Sequence, residues 1–149
     1  MSAGEAEFAA YDERAGCAVL DRGLALFATL GFDVAGFVPP AWARRAWLIP
    51  ALRARGVDYV EDQLFAYAPV RRLRRLAPAL NYASRTAGRR WSSAAYARAG
   101  RGYDAVGLPV RVAIHPADLA HPMLVRETRA LLQWAAGRTT DRAGDLFTA

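Results

Sequence analysis

The chain has 149 residues and a mass of 16.2 kDa, enough for one domain with a real core and short of the about 250 residues of a complete eight-stranded (β/α) barrel. Hydrophobic residues make up 54% and charged residues 23%, which excludes disorder along most of the sequence. The net charge of +6 comes from 20 arginines against 14 acids, with no lysine at all, a bias that usually follows from a GC-rich genome.

That charge is uneven. Residues 1–43 hold two arginines against six acids, residues 44–101 thirteen against three, and residues 102–149 five against five. The middle third is thus a +10 segment between acidic and neutral ones. The single cysteine, Cys17, excludes an intramolecular disulfide framework and a multi-thiolate zinc site, and reads as a small core residue. Met1 to Arg14 carries Glu5, Glu7, Asp12 and Glu13 with no basic stretch ahead of an apolar one, unlike a signal peptide. Arg or Asp interrupts every apolar run before 18 residues, so no membrane span is expected. A cytoplasmic location is the expectation.

In chain order, Phe8, Tyr11, Ala15, Val19, Leu20, Leu24, Phe27 and Leu30 recur at threes and fours, predicting an amphipathic helix over 5–30 stopped by Gly31. A β-type run over 32–38 follows and ends at Pro39 and Pro40. Residues 41–55 predict a turn and a short helix, with Pro50 in its first turn and Gly56 past its end. Short strands are predicted at 57–60, 63–67 and 79–82. Between them, Arg71 to Arg75 (Arg-Arg-Leu-Arg-Arg) reads as a solvated connection or as an anion-binding patch. A helix over 86–101 is followed by the clearest strand, 108–114, which ends at His115-Pro116. An amphipathic helix over 123–136 and a polar tail from 138 to 149 complete the chain. Strands alternating with helices predict an α/β fold with mainly parallel strands, whose chemistry lies at the carboxyl ends of the strands. Two segments occupy such positions: Phe37 to Trp42, and His115 to Asp118.

At these segments the sequence resembles the polysaccharide deacetylase superfamily, in an uncharacterised-domain branch. The resemblance rests on Glu7-Phe8 with the helix to Gly31, on Gly36-Phe37-Val38-Pro39-Pro40-Ala41-Trp42, on Asn81-Tyr82-Ala83-Ser84-Arg85 with Trp91, and on Ile114-His115-Pro116-Ala117-Asp118. These run in family order over residues 5–134. The resemblance implies a (β/α) barrel that removes acetyl groups from an N-acetylated carbohydrate with a divalent metal, usually zinc. In the family an Asp-Asp motif supplies the base and one metal ligand, and a His-x-x-x-His motif supplies two more; this chain contains neither. Residues 1–137 therefore match the C-terminal part of such a barrel, lacking its N-terminal strands and its metal half. No metal is expected on this chain alone, and it is expected to be incomplete and inactive by itself.

The family's general acid falls on His115, and an imidazole can deliver a proton to the leaving nitrogen; from the bare sequence, a histidine that hydrogen-bonds its own loop is the competing reading. Pro39, Pro40 and Trp42 correspond to the motif that shapes one pocket wall, although Phe37 or Val38 stands where better-known members carry an arginine. A Pro-Pro turn with a packed tryptophan is the alternative there. Asp118 is placed with the substrate-binding residues by the same resemblance, and reads locally as a cap of the following turn. His115, Asp118 and His121 could be three metal ligands in principle, but Pro116 and Pro122 break the helix that would align them. The alternative function is a non-enzymatic anion or nucleic-acid binder using Arg71, Arg72, Arg74 and Arg75, with Trp42, Trp47, Trp91 and Tyr96 as stacking groups. Barrel edges left open would also favour a homo-oligomer.

Overall fold

The computed structural model describes residues 7–136, 138 and 146–147. The chain divides into two compact units, Met1–Arg75 with Arg142–Ala149, and Leu76–Asp141.

In the first unit a single turn, α1 (Glu7–Ala10), precedes α2 (Glu13–Thr29). The break between them comes from Asp12, whose extended backbone and side-chain oxygen, accepting from the Ala15 N–H at 2.8 Å, start α2 afresh. At the other end Gly31, at φ +75°, closes the helix, and the Phe32 N–H returns to the Phe27 carbonyl at 3.0 Å. The run over 32–38 contributes one parallel bridge, Phe37 to Val60, rather than a full strand. A 3₁₀ turn at Pro40–Trp42 and the helix α3 (Leu48–Ala54) carry the chain back to β1 (Val60–Glu61). Phe37, α3 and β1 thus form a small β-α-β crossover.

β1 then pairs antiparallel with β2 (Phe65–Ala68), Val60 opposite Tyr67 and Glu61 opposite Ala66. On the far side of β2 lies β3 (Leu73–Leu76). The parallel pairing expected for most strands does not hold in this sheet for a simple reason: connections of three or four residues can only fold back as hairpins, whereas a parallel pair needs a long crossover. Arg71 to Arg75, read from sequence as a connection, is half turn and half strand. Arg72 adopts φ +58° at the turn, and Arg74 and Arg75 lie within β3. The core of this unit gathers Phe8, Leu20, Leu48, Leu52, Val57, Val60 and Tyr67, with Cys17, Phe37 and Trp47 packed against it.

The second unit is a β-α-β arrangement with two further helices. β4 (Ala79–Leu80) leads into α4 (Ala87–Gly100), capped by Thr86, and a short α5 (Gly102–Ala105). β5 (Arg111–Val112) returns parallel to β4, Ala79 beside Arg111 and Leu80 beside Val112. A 3₁₀ turn at Pro116–Ala120 and α6 (Pro122–Ala135) follow. Leu80, Tyr82, Ala94, Ala97, Leu124 and Leu131 form its core. Arg98 on α4 grips Glu127 on α6 with two hydrogen bonds, one of 2.9 Å to Oε2 and one to Oε1. Of the tail, Arg138 pairs with Asp104 at 2.7 Å and covers the Trp134 ring; its remaining residues apart from 146–147 lie outside the described residues. No helix among the described residues is long and apolar enough to cross a membrane.

Candidate functional site

Phe37 to Trp42, in the first unit, follows a single bridge at Phe37, and His115 to Asp118, in the second, follows β5. In the first, Phe37 is tied to β1 by its N–H, which donates to the Tyr59 carbonyl at 2.9 Å. Pro39 is fully buried and anchors the loop. Pro40 starts the 3₁₀ turn, where a fixed φ and a missing N–H cost nothing. Next come two consecutive non-glycine residues in left-handed conformation, Ala41 and Trp42, each at φ 53°. Such residues cost of order 1–3 kcal/mol apiece and persist only where the surroundings hold them.

The holder is a cluster at the end of β1. The Trp42 indole N–H donates to Glu61 Oε1 at 3.1 Å, and the Tyr59 hydroxyl donates to Glu61 Oε2. One residue on, Asp62 Oδ2 accepts from the Tyr67 hydroxyl at 2.7 Å and from Arg44 Nε at 3.4 Å. Its Oδ1 accepts the N–H groups of Leu64 at 3.0 Å and Phe65 at 2.9 Å. Arg44 also lies over the Tyr67 ring, 4.8 Å from its centre. Burial works to raise the Asp62 pKa, but the bonds from Tyr67, from the two backbone N–H groups and from Arg44 outweigh it and hold the carboxyl below its ordinary value. Burial, and then the bond to Asp62, pushes the Tyr67 hydroxyl above its ordinary pKa. None of Tyr59, Glu61, Asp62, Arg44 or Tyr67 was singled out from sequence. The one signal was position: Glu61 and Asp62 follow directly on a predicted strand.

In the second unit His115 leaves β5 with its residue surface exposed. Asp118, only 1% exposed, sits behind it. Asp118 Oδ2 accepts the His115 N–H at 3.1 Å, and the Asp118 N–H donates to the His115 carbonyl at 2.9 Å. The pair closes the Pro116–Ala120 turn and fixes the backbone of His115, as a capping box does. Asp118 thus stands as the support of His115 rather than as a group at the surface. Its Oδ1 is buried with no hydrogen-bond partner among the described residues, as are the hydroxyls of Tyr82 and Thr128. Burial, followed by the nearby Glu127 charge, pushes the Tyr82 hydroxyl above its ordinary pKa.

The described residues contain no group of three His, Cys, Asp or Glu placed to hold a metal ion. His115, Asp118 and His121 do not converge, because His121 caps the next helix and Asp118 is turned into the protein. Among the described residues these three side chains do not form a zinc site. The Arg71–Arg75 segment is largely engaged within its own unit. Arg71 pairs with Asp58, Arg74 stacks on Phe65 with its guanidinium 4.6 Å from the ring centre, and Arg75 donates to the Leu146 carbonyl at 2.5 Å. Comparison with family models, with curated proteins and with solved structures finds no match for this chain.

Proposed function

We propose that this chain is a polysaccharide deacetylase-like segment, the C-terminal part of a (β/α) barrel, that contributes the general acid and one pocket wall to metal-dependent removal of N-acetyl groups from a carbohydrate. The observation that carries the reading is His115. It is an exposed residue three positions beyond β5, a strand paired parallel to its neighbour across a helix, with its backbone fixed by a buried carboxylate. Amide hydrolysis needs a proton at nitrogen as the tetrahedral intermediate collapses, and a histidine there suits that step. The two crossovers, Phe37-α3-β1 and β4-α4-β5, are the units from which such barrels repeat.

In this reading His115 gives its proton to the departing amine while the C–N bond breaks. The metal, the base and the attacking water come from a segment bearing the Asp-Asp and His-x-x-x-His motifs that this chain lacks. The test is to mix the full chain with a polypeptide carrying those motifs and zinc, and to follow acetate release from N-acetylglucosamine oligomers. Acetate is expected from the mixture, none from either part alone, and none after chelation. A mixture that releases no acetate overturns the reading. The alternative, an anion or nucleic-acid site on Arg71, Arg72, Arg74 and Arg75, has less support, since three of the four guanidinium groups already serve partners in their own unit.

A further inference from the structure

The last third of α2 is apolar on every side and stands clear of its own core. The ten residues from Gly23 to Phe32 carry no charged side chain, and the one polar side chain among them, Thr29, donates its hydroxyl to the Leu26 carbonyl at 2.7 Å. The core of the first unit takes Leu20 and, at its edge, Leu24, but none of residues 25–32. Leu26, Leu30 and Phe32 are each 60% exposed or more, and Phe27, edge-on to Phe32 with ring centres 6.5 Å apart, is 48% exposed. A helix end that is apolar all round is ordinarily covered, and an exposed patch of this kind marks an interaction surface.

We propose that this face is where two copies of the chain pair, their α2 helices crossing antiparallel between Leu26 and Leu30. Charge selects the occupant. Arg22, exposed one turn before Leu26, and Asp33, exposed just past Phe32, have no ion-pair partner among the described residues. The last turn of α2 holds no basic residue, so its carbonyl end keeps the partial negative charge of a helix C-terminus. Antiparallel crossing lays Arg22 of each copy against Asp33 and the carbonyl end of the other, twice by symmetry, whereas a parallel pair would set like charges side by side. Arg22, Leu26 and Leu30 follow one another at four-residue spacing on one exposed row, with the small side chains of Ala18 and Ala25 exposed beside it, so the two backbones can approach closely. An anionic lipid surface fits less well, because Asp33 and the helix end would repel its headgroups. The pairing uses a helix face rather than a sheet edge, and it stands independently of the deacetylase reading.

The experiment is analytical ultracentrifugation of the full chain from about 1 to 200 μM. Four large side chains make a smaller patch than the roughly 800 Å² each partner gives to a standard interface, so the wild type is expected to pass from monomer to dimer within that range. Leu26→Ser with Leu30→Ser is expected to stay monomeric throughout. Both side chains are exposed, so the urea midpoint at the lowest concentration, where the wild type is also monomeric, should match the wild type's and separate lost pairing from lost folding. Arg22→Glu and Asp33→Arg should each weaken association roughly tenfold, since symmetry counts each change twice, and the two together should restore it to within about threefold.

A wild type that is monomeric at every concentration overturns the proposal. So does a dimer that survives Leu26→Ser with Leu30→Ser, a ladder of growing species in place of a dimer, or a double charge reversal that fails to restore pairing. Acetate release in the mixing assay does not enter any of these outcomes, so the two proposals fail separately.

Discussion

At Gly36 an added Cβ would lie 2.8 Å from the Tyr59 Cβ and 3.1 Å from its carbonyl oxygen, at the point where Phe37 and Val60 bridge. Backbone cannot give way there as a flexible side chain could, so Gly36→Ala should destabilise the protein by about 1–3 kcal/mol. Urea unfolding checks this, and a midpoint equal to the wild type's would refute it. Asp118 offers a second test at this scale. Asp118→Ala removes the acceptor of the His115 N–H and should lower stability by about 0.5–2 kcal/mol, as loss of a cap does. Because Asp118 fixes the backbone of His115, Asp118→Ala should also slow acetate release in the mixing assay. Individual residues of this kind were only partly legible. Pro39, Pro40, Trp42 and His115 follow runs that read as strands and could be noticed from sequence. Glu61 and Tyr59 could not, because Glu61 meets Trp42 across 19 positions and Tyr59 bonds Glu61, and nothing in their immediate neighbours marks it.

Local chemistry made the helices readable. Gly31 ends α2 in the left-handed conformation its position demands and Thr86 caps α4; of the expected stripe on α6, Leu124 and Leu131 are buried and Trp134 packs against them, while Leu132 is 47% exposed and Thr128 takes the buried place between. The strands were less readable, since pairs of two to four residues owe their existence to partners distant in sequence. The run over 32–38 looked like a strand and yields one bridge, while Arg71 to Arg75 looked like a loop and yields most of one. The hairpins of the first unit depend on two carboxylates. Asp58 accepts from the N–H groups of Val70 at 2.7 Å and Arg71 at 3.1 Å and from the Arg71 side chain, and Asp62 spans the preceding turn. For both, burial raises the pKa and is outweighed by hydrogen bonds, so the folded value lies below the ordinary one. Their contribution is therefore complete above the unfolded pKa of about 4 and is lost as pH falls through the depressed folded values. Urea midpoints should fall between pH 5 and pH 2.5, and Asp58→Asn with Asp62→Asn should flatten that slope; an unchanged slope in the double variant would contradict this.

Across the whole molecule, each unit is built around its own hydrophobic cluster. Leu52 is 1% exposed in one and Leu124 fully buried in the other, so truncation of either to alanine should cost about 2–5 kcal/mol of the stability of its own unit. Amide exchange resolves the effect. Leu124→Ala should first release the amides of α4 and α6, and uniform loss along the chain would argue that the clusters do not define separate cores. The broad α/β character was legible from the alternation of patterns. The mixed pairing was not, because it is set by connection lengths that blurred strand boundaries concealed.

The central claim concerns the proton at nitrogen, and one comparison addresses it directly. In the mixing assay, acetate release from an N-acetylated sugar and from an activated acetyl ester would be measured for wild type and His115→Ala. An amine cannot leave without a proton, whereas a stable phenolate can. His115→Ala should therefore slow the amide by roughly 10²–10⁴-fold and leave the ester nearly untouched. Equal losses on both substrates, or no loss on the amide, would show that His115 is not the acid.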